Sequence, residues 1–403
     1  MDSFGLKIKV FPAFFFFVLF GLFLFWLPEK HLAAQESILS SYQRNFARAG
    51  LQAKAGILKD AATDERAEEF IGELYEFALQ FALVNAQLFR DDPDMISLVG
   101  VAARGAGAAG NTESVRSLWD LFSLFRDSYT RVEILQALGI LGRGNAQIAA
   151  NLNQFLENYN RAFRAGNRDI DYHILAACIA ALRLIGDDSS FPFLFSTLIA
   201  GHPQAIVQEA LWALDSLQGN FTEYLAYVIR NNPFNEKAIA FRIGVYSERL
   251  SYAEIGEIAQ IALEVSLDAH GSVENSLRYD SVVIITRLTW TPAAPLLIRN
   301  FYRVQTDFAN GAASRERLLE AIASLVAMNS VEAAQSLALQ LAFVNSRTES
   351  TGEYDEAVVL ALIQALGELG NRAAFDHLLY VSFLNYPDII QAAAREALNR
   401  LQW

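Results

Sequence analysis

Cysteine is almost absent: Cys178 stands alone, so no intramolecular disulfide can form. Histidine is sparse too. His31, His173, His202, His270 and His377 are scattered, and neither His-x-x-x-His nor Cys-x-x-Cys spacing occurs to hold zinc. No glycine-rich loop followed by Lys-Ser/Thr opens a helix to cradle phosphate. Gly105, Gly107 and Gly110 belong instead to an Ala/Gly-rich helix end, where small residues serve packing. The Gly-x-Ser-x-Gly elbow of a serine hydrolase is missing as well. Basic residues are in deficit, 32 against 45 acidic ones, for a net charge of −13. That balance argues against a nucleic-acid partner and against anionic membrane surfaces, both of which call for clustered Lys and Arg. No stretch alternates apolar and polar residues for long enough to make a strand. The expectation is a chain with no catalytic constellation, no metal site and no cofactor.

What is present in quantity is a repeat. Define as anchor the residue that follows each closing apolar position: Gly110, Gly142, Gly186, Gln218, Ser251, Thr289, Asn329, Gly370 and Gln402. Successive anchors lie 32 to 44 residues apart, the period of stacked two-helix units. One residue before the anchor the column is always apolar. Four before it stand Ala106, Leu138, Leu182, Leu214, Ile285, Leu325, Leu366 and Leu398, with Ser247 the polar exception. Five before it the residues are mostly small, among them Ala137, Ala181 and Ala397. Eight before it come apolar or small residues, including Cys178, which is therefore a core residue rather than a nucleophile. Offsets of one, four, five and eight trace one face of a helix. After each anchor a polar or Pro-containing turn leads into a second apolar helix, as at Phe191–Ile199 and Val331–Val344. The class is all-α: about nine to ten stacked two-helix repeats over residues 35–403. A degenerate first unit is expected at about 36–90, with helices near 40–59 and 63–89, and clearer repeats from about 94.

The phrase Ala137-Leu138-Gly139-Ile140-Leu141-Gly142 returns as Ala365-Leu366-Gly367-Glu368-Leu369-Gly370, and Ala181–Gly186 is a close variant. These segments, with the Arg395-Glu396-Ala397 phrasing of the last unit, resemble the HEAT-repeat family in the short-unit form of lyase-type HEAT proteins. The resemblance covers roughly residues 40–403. It implies an α-solenoid whose inner wall is lined by the second helix of each unit. Tetratricopeptide and ankyrin phrases are absent. The units between Ser247 and Thr289 depart most from the pattern.

Ahead of the repeats, Lys7 and Lys9 precede an uncharged run, Val10–Leu27, crowded with phenylalanine. Positive charge before such a run directs the remainder outside the cytoplasm. As a helix the run spans about 27 Å, against a hydrocarbon core of about 30 Å. Leu32-Ala33-Ala34-Gln35 offers a small-residue cleavage site after Ala34. Residues 1–34 therefore read either as a cleaved signal peptide or as a retained signal anchor. The absence of a cysteine after the run excludes a lipoprotein anchor there. Any membrane association would be through this segment alone. The solenoid is placed outside the cytoplasm, in the periplasm or anchored to the inner membrane facing it.

Two surfaces are candidates for binding. The first is the second-helix wall, where Trp212 stands beside Asp215 as an aromatic contact or as a half-buried packing residue. The second is built by four long units, whose extra residues are assigned to loops Asn160–Asp171, Asp268–Asn275, Gln305–Ser314 and Asn345–Asp355. Loops on a rigid scaffold are a usual place for recognition. Their candidates are Asp169, Asp171, His270, Asn310, Arg347 and Tyr354. The expected function is an exported, non-enzymatic scaffold that binds another protein, within an envelope or periplasmic assembly. An α/α-toroid enzyme acting on polysaccharide and a HEAT-type chromophore lyase are the alternatives.

Overall fold

A computed structural model describes residues 27–402, with side chains from residue 38 onward. Among the described residues it holds twenty α-helices and no strand; a single parallel bridge joins Asn371 to Gln402. The chain is an all-α solenoid of two-helix repeats. It falls into two compact units divided between Gly219 and Asn220. The first contains α1 (Leu27–Arg48), α2 (Leu51–Ala62), α3 (Ile71–Phe89), α4 (Pro93–Ala108), α5 (Val115–Leu124), α6 (Ser128–Leu141), α7 (Ala146–Arg164), α8 (Tyr172–Ile185), α9 (Phe191–Ile199) and α10 (Gln204–Asp215). The second contains α11 (Phe221–Asn231), α12 (Phe234–Tyr246), α13 (Tyr252–Ser266), α14 (Ser272–Leu288), α15 (Ala294–Ala309), α16 (Arg315–Met328), α17 (Val331–Thr351), α18 (Glu356–Leu369), α19 (Phe375–Val381) and α20 (Asp388–Arg400).

Each odd-numbered helix pairs with the even-numbered one after it, so each unit holds five pairs. The apolar columns explain the stacking. Ala106, Leu138, Leu182, Ile285, Leu325 and Leu366 are all fully buried where one second helix lies on the next. The Ala-Leu-Gly-x-Leu-Gly phrase also has a geometric meaning. A Cβ built on Gly139 would stand 2.8 Å from Cα of Ala181, and one on Gly367 would stand 2.9 Å from Cα of Ala397. The glycine three before one anchor thus receives the alanine five before the next. The two backbones meet closer than any side chain would allow.

Helix starts follow ordinary capping chemistry. Asp127, Asn145, Asp171, Asn220, Ser330 and Asp355 each accept hydrogen bonds from backbone amides of the helix they precede. Ser251, assigned above as an anchor closing a helix, instead opens α13 with a full capping box through Glu254. The second helix of that unit has already ended at Tyr246, which is 80 % exposed, so the apolar register breaks there.

The first unit also differs from its expected layout. The segment 40–59 is not one helix: Gly50, in extended conformation, separates α1 from α2. The segment 63–89 begins with a single 3-10 turn, Glu65–Ala67, whose first amides Asp64 caps. Consequently α3 belongs to the following pair with α4, and residues 36–90 hold one and a half repeats rather than one degenerate repeat.

Among the described residues two lysines are buried, one in the first pair of each unit. Lys54 donates to the carbonyl of Phe46 and lies 4.3 Å from that residue's ring centroid. Lys237 donates to the carbonyls of Ile229 and Arg230 at 2.7 and 2.8 Å. Each ammonium satisfies the open carbonyls at the end of the preceding helix, where the helix dipole favours positive charge. Burial lowers both pKa values. Among the described residues no helix is long and apolar enough to cross a membrane. The run Val10–Leu27 lies, save for Leu27, outside the described residues, and Leu32–Gln35 falls within α1.

Candidate functional site

The extra residues of the long units mostly extend helices and do not form loops. Helix α7 runs to Arg164, α15 to Ala309 and α17 to Thr351, while α14 already begins at Ser272. Several residues expected to lie in loops continue the buried stripe instead: Asn160, Phe163, Asn345 and Thr348 are all buried. Glycine then ends each extension. Gly166, Gly311 and Gly352 take left-handed φ of 96°, 72° and 73°. After Gly311 the amide of Ala312 reaches back to the carbonyl of Asp307 at 2.7 Å, the wrap-around that closes a helix on glycine. These glycines, placed late in each insertion, were the available sequence signal for extended helices.

Buried polar side chains tie the extensions down. Asn160 donates to Thr197 at 3.0 Å, and its carbonyl lies 2.9 Å from Nε2 of His202. Burial lowers the His202 pKa, and the charges of Arg164 and Arg168 push the same way. At the far end of α17, Asn345 donates to the carbonyl of His377 at 3.0 Å. The Tyr386 hydroxyl donates to Asn345 and pairs with Thr348 at 2.9 Å.

The long helices α15 and α17 consequently form two walls of a cleft of about 490 Å³ within the second unit. Asn310, Arg347 and Tyr354 all line it. Tyr354 sits with its ring edge-on to Tyr386, centroids 4.9 Å apart. Arg347 pairs with Glu353 at 3.2 Å, and Arg315 pairs with the rim residue Asp355 at 2.8 Å. The cleft floor is apolar, from Leu318, Val344 and Val358. Gln305 on α15 and Gln340 on α17 add side-chain amides that sequence reasoning missed, because a glutamine inside an apolar helix carries no distinguishing pattern.

The other candidates fall elsewhere. Asp169 is an exposed turn residue whose amide bonds to Asn167 at 2.9 Å. Asp171 is the N-cap of α8 and accepts from the amides of His173 and Ile174. Burial works against its charge, yet hydrogen bonds from Ser128 and those amides hold its carboxyl below the usual range. His270 accepts from Arg303 at 2.9 Å, outside the cleft. Trp212, on α10, is 50 % exposed. Cys178 is fully buried with its thiol facing the carbonyl of Leu152 at 3.7 Å, and burial pushes its pKa far above the usual range.

Beside the cleft, α17 packs on α19, and large apolar side chains are exposed on this part of the unit: Leu339 and Phe343 on α17, Leu379 and Tyr380 on α19, and Phe383 in the turn after α19. Phe343 is 59 % exposed and Phe383 74 %. The Tyr380 hydroxyl donates to Glu349 at 2.8 Å and joins the two helices across this face. Phe343 lines the cleft as well, so the cleft and the apolar face meet at that ring.

No protein-family model and no curated protein sequence matches the chain. Among solved structures the chain is similar to a circular tandem repeat protein with novel repeat topology and enhanced subunit contact surfaces. Identity is 14 %, the match covers 92 % of this chain and 82 % of that one, and the TM-score is 0.14. A score this low carries no argument. The fold assignment stands on the helices themselves.

Proposed function

We propose that this protein is a non-enzymatic scaffold that holds another protein through the second unit, at the meeting of the α15–α17 cleft and the α17–α19 face. The observation that carries this is Phe343, a large ring exposed on a folded helix at the edge of the cleft, with Leu339, Leu379, Tyr380 and Phe383 also exposed on this part of the unit. Contiguous exposed apolar surface with a polar rim marks interaction sites in soluble proteins, and aromatic side chains in such places supply most of the binding energy. The HEAT-like character of the repeats belongs to the same proposal, as does export. Lys7 and Lys9 ahead of the apolar run, with Ala34 after it, support a solenoid that works outside the cytoplasm, in the periplasm or held at the inner membrane.

A photo-crosslinking amino acid at Phe343 or Phe383, expressed in the native host, tests the binding site. Discrete adducts of one mass from these positions, and none from Asp169, are expected. Adducts from Asp169 or Trp212 alone would move the site to the first unit. N-terminal sequencing with cell fractionation tests export. A full-length chain in the soluble cytoplasmic fraction refutes that part.

A further inference from the structure

The second unit holds another cavity, of about 280 Å³, bounded by α14, α15 and α16. It shares no lining residue with the α15–α17 cleft. The repeat register explains the opening. Three before the anchor Thr289 stands Thr286, at the place where Gly139 and Gly367 admit a neighbouring backbone, and five before the next anchor stands Ser324. A side chain at Thr286 denies α14 and α16 that close approach, and Thr286 lines the cavity. Asn300, on α15, lines it too and is only 1 % exposed. Its side-chain oxygen is buried without a hydrogen-bond partner. The other buried asparagines among the described residues, Asn153, Asn160 and Asn345, donate respectively to Ser189, to Thr197 and to the carbonyl of His377. Asn300 engages neither end of its amide. Buried polar groups are nearly always satisfied, so this exception calls for a partner from outside the chain.

We infer that this cavity binds a small uncharged molecule with an apolar body and one hydroxyl group, of the alcohol or phenol class, its hydroxyl held by Asn300. The inference stands apart from the protein-holding proposal above. A hydroxyl donates to the Asn300 oxygen and can also accept from its amide nitrogen. The walls suit an apolar body: Val282, Val304 and Ala321 are buried there, and Val283 borders the cavity half-exposed. Thr286 already donates to the carbonyl of Val282 at 2.7 Å, which leaves Asn300 as the buried polar group to be met. A lone water would be poorly held, because buried waters usually have about three polar partners. A cavity of about 150 Å³ takes benzene, so one of about 280 Å³ admits roughly ten non-hydrogen atoms. Charge does not select the ligand. Arg287 and Glu320 are exposed, and Arg317 pairs with Glu320 at 2.8 Å and lies over the Tyr279 ring at 4.1 Å.

The test compares 4-propylphenol with propylbenzene, which differ by the hydroxyl alone, by ligand-observed NMR with the full chain as titrant. The phenol should bind, and propylbenzene should bind about tenfold more weakly, the worth of a hydrogen bond to a buried group. Asn300→Leu, which keeps the volume and removes the amide, should bring the two to similar affinity. Val283→Trp, at a half-exposed side chain that borders the cavity, should weaken the phenol by a similar factor while helicity and melting stay as in the wild type. This second variant keeps the test decisive if Asn300→Leu does not fold. The inference is overturned if the phenol does not bind at millimolar concentration, if propylbenzene binds as well, if Asn300→Leu keeps the preference, or if Val283→Trp binds like the wild type. Tighter binding of 3-phenylpropionate than of the phenol also overturns it, since the selecting group would then be the cation Arg287.

Discussion

Replacing Gly139 with alanine tests how the repeats stack. The new Cβ would lie 2.8 Å from Cα of Ala181 and 3.2 Å from both Cβ of Ala181 and Cδ1 of Leu184. Carbon atoms rest at about 3.5–4.0 Å, so α6 and α8 would have to part by roughly 0.7–1.2 Å. Overpacking of this kind costs about 1–3 kcal/mol. Against it stands the better helix propensity of alanine, about 1 kcal/mol. The expected net effect is a loss of up to about 2 kcal/mol, taking the difference of those two ranges. Gly56 supplies the control. It lies inside α2 with nothing within 4 Å of its built Cβ, so Gly56→Ala should stabilise by about 0.5–1 kcal/mol. The same chemical change thus acts with opposite sign at two helical glycines. Hydrogen exchange is the suitable assay, because repeats contact chiefly their neighbours and open locally. Protection should fall in α6 and α8 for Gly139→Ala and rise in α2 for Gly56→Ala. Adding Ala181→Gly should not rescue the first variant, since the closest contact is to the backbone Cα. If Gly139→Ala protects α6 and α8 as much as Gly56→Ala protects α2, the close-approach explanation is wrong.

Leu366, fully buried between α18 and its neighbours, should lose about 2–5 kcal/mol on change to alanine, read as faster exchange in α18 and α20. Thr289 ends α14 at φ 51°, a left-handed conformation that a β-branched residue adopts at a cost of about 1–2 kcal/mol, so Thr289→Gly should raise the melting temperature. Asn329→Gly at φ 48° should gain less, because asparagine tolerates that region; a lower melting temperature for Thr289→Gly would contradict the strain. His202 has a folded pKa below its ordinary 6.5, so the unfolded chain takes up the proton first. Stability from this residue should therefore be complete above pH 6.5 and decline as pH falls through the folded pKa. His202→Gln should flatten that part of a urea-midpoint profile, and an unchanged slope would assign the acid sensitivity elsewhere.

The repeat, its period and the buried columns were legible in the chain itself, because a solenoid contact recurs at fixed helical offsets from an anchor. The small column at Ala137, Ala181 and Ala397 even announced that backbones approach closely, although its glycine partners emerged only when Gly139 met Ala181 across two helices. Capping at Asp171, Ser330 and Asp355 is equally local, although Asp171 and Asp355 read as the ends of loops in the sequence. Tertiary structure decided what the sequence left ambiguous. Extra residues in a repeat read equally well as loop or as longer helix until Asn160 and Asn345 find partners more than thirty positions away. Such partners hold two of the supposed loops as helix, and the extended α15 and α17 bring Asn310, Arg347 and Tyr354 to one cleft, with Asp169, Asp171, His270 and Trp212 outside it. Whether a side chain is satisfied depends on everything packed around it, and no local pattern in the chain records that.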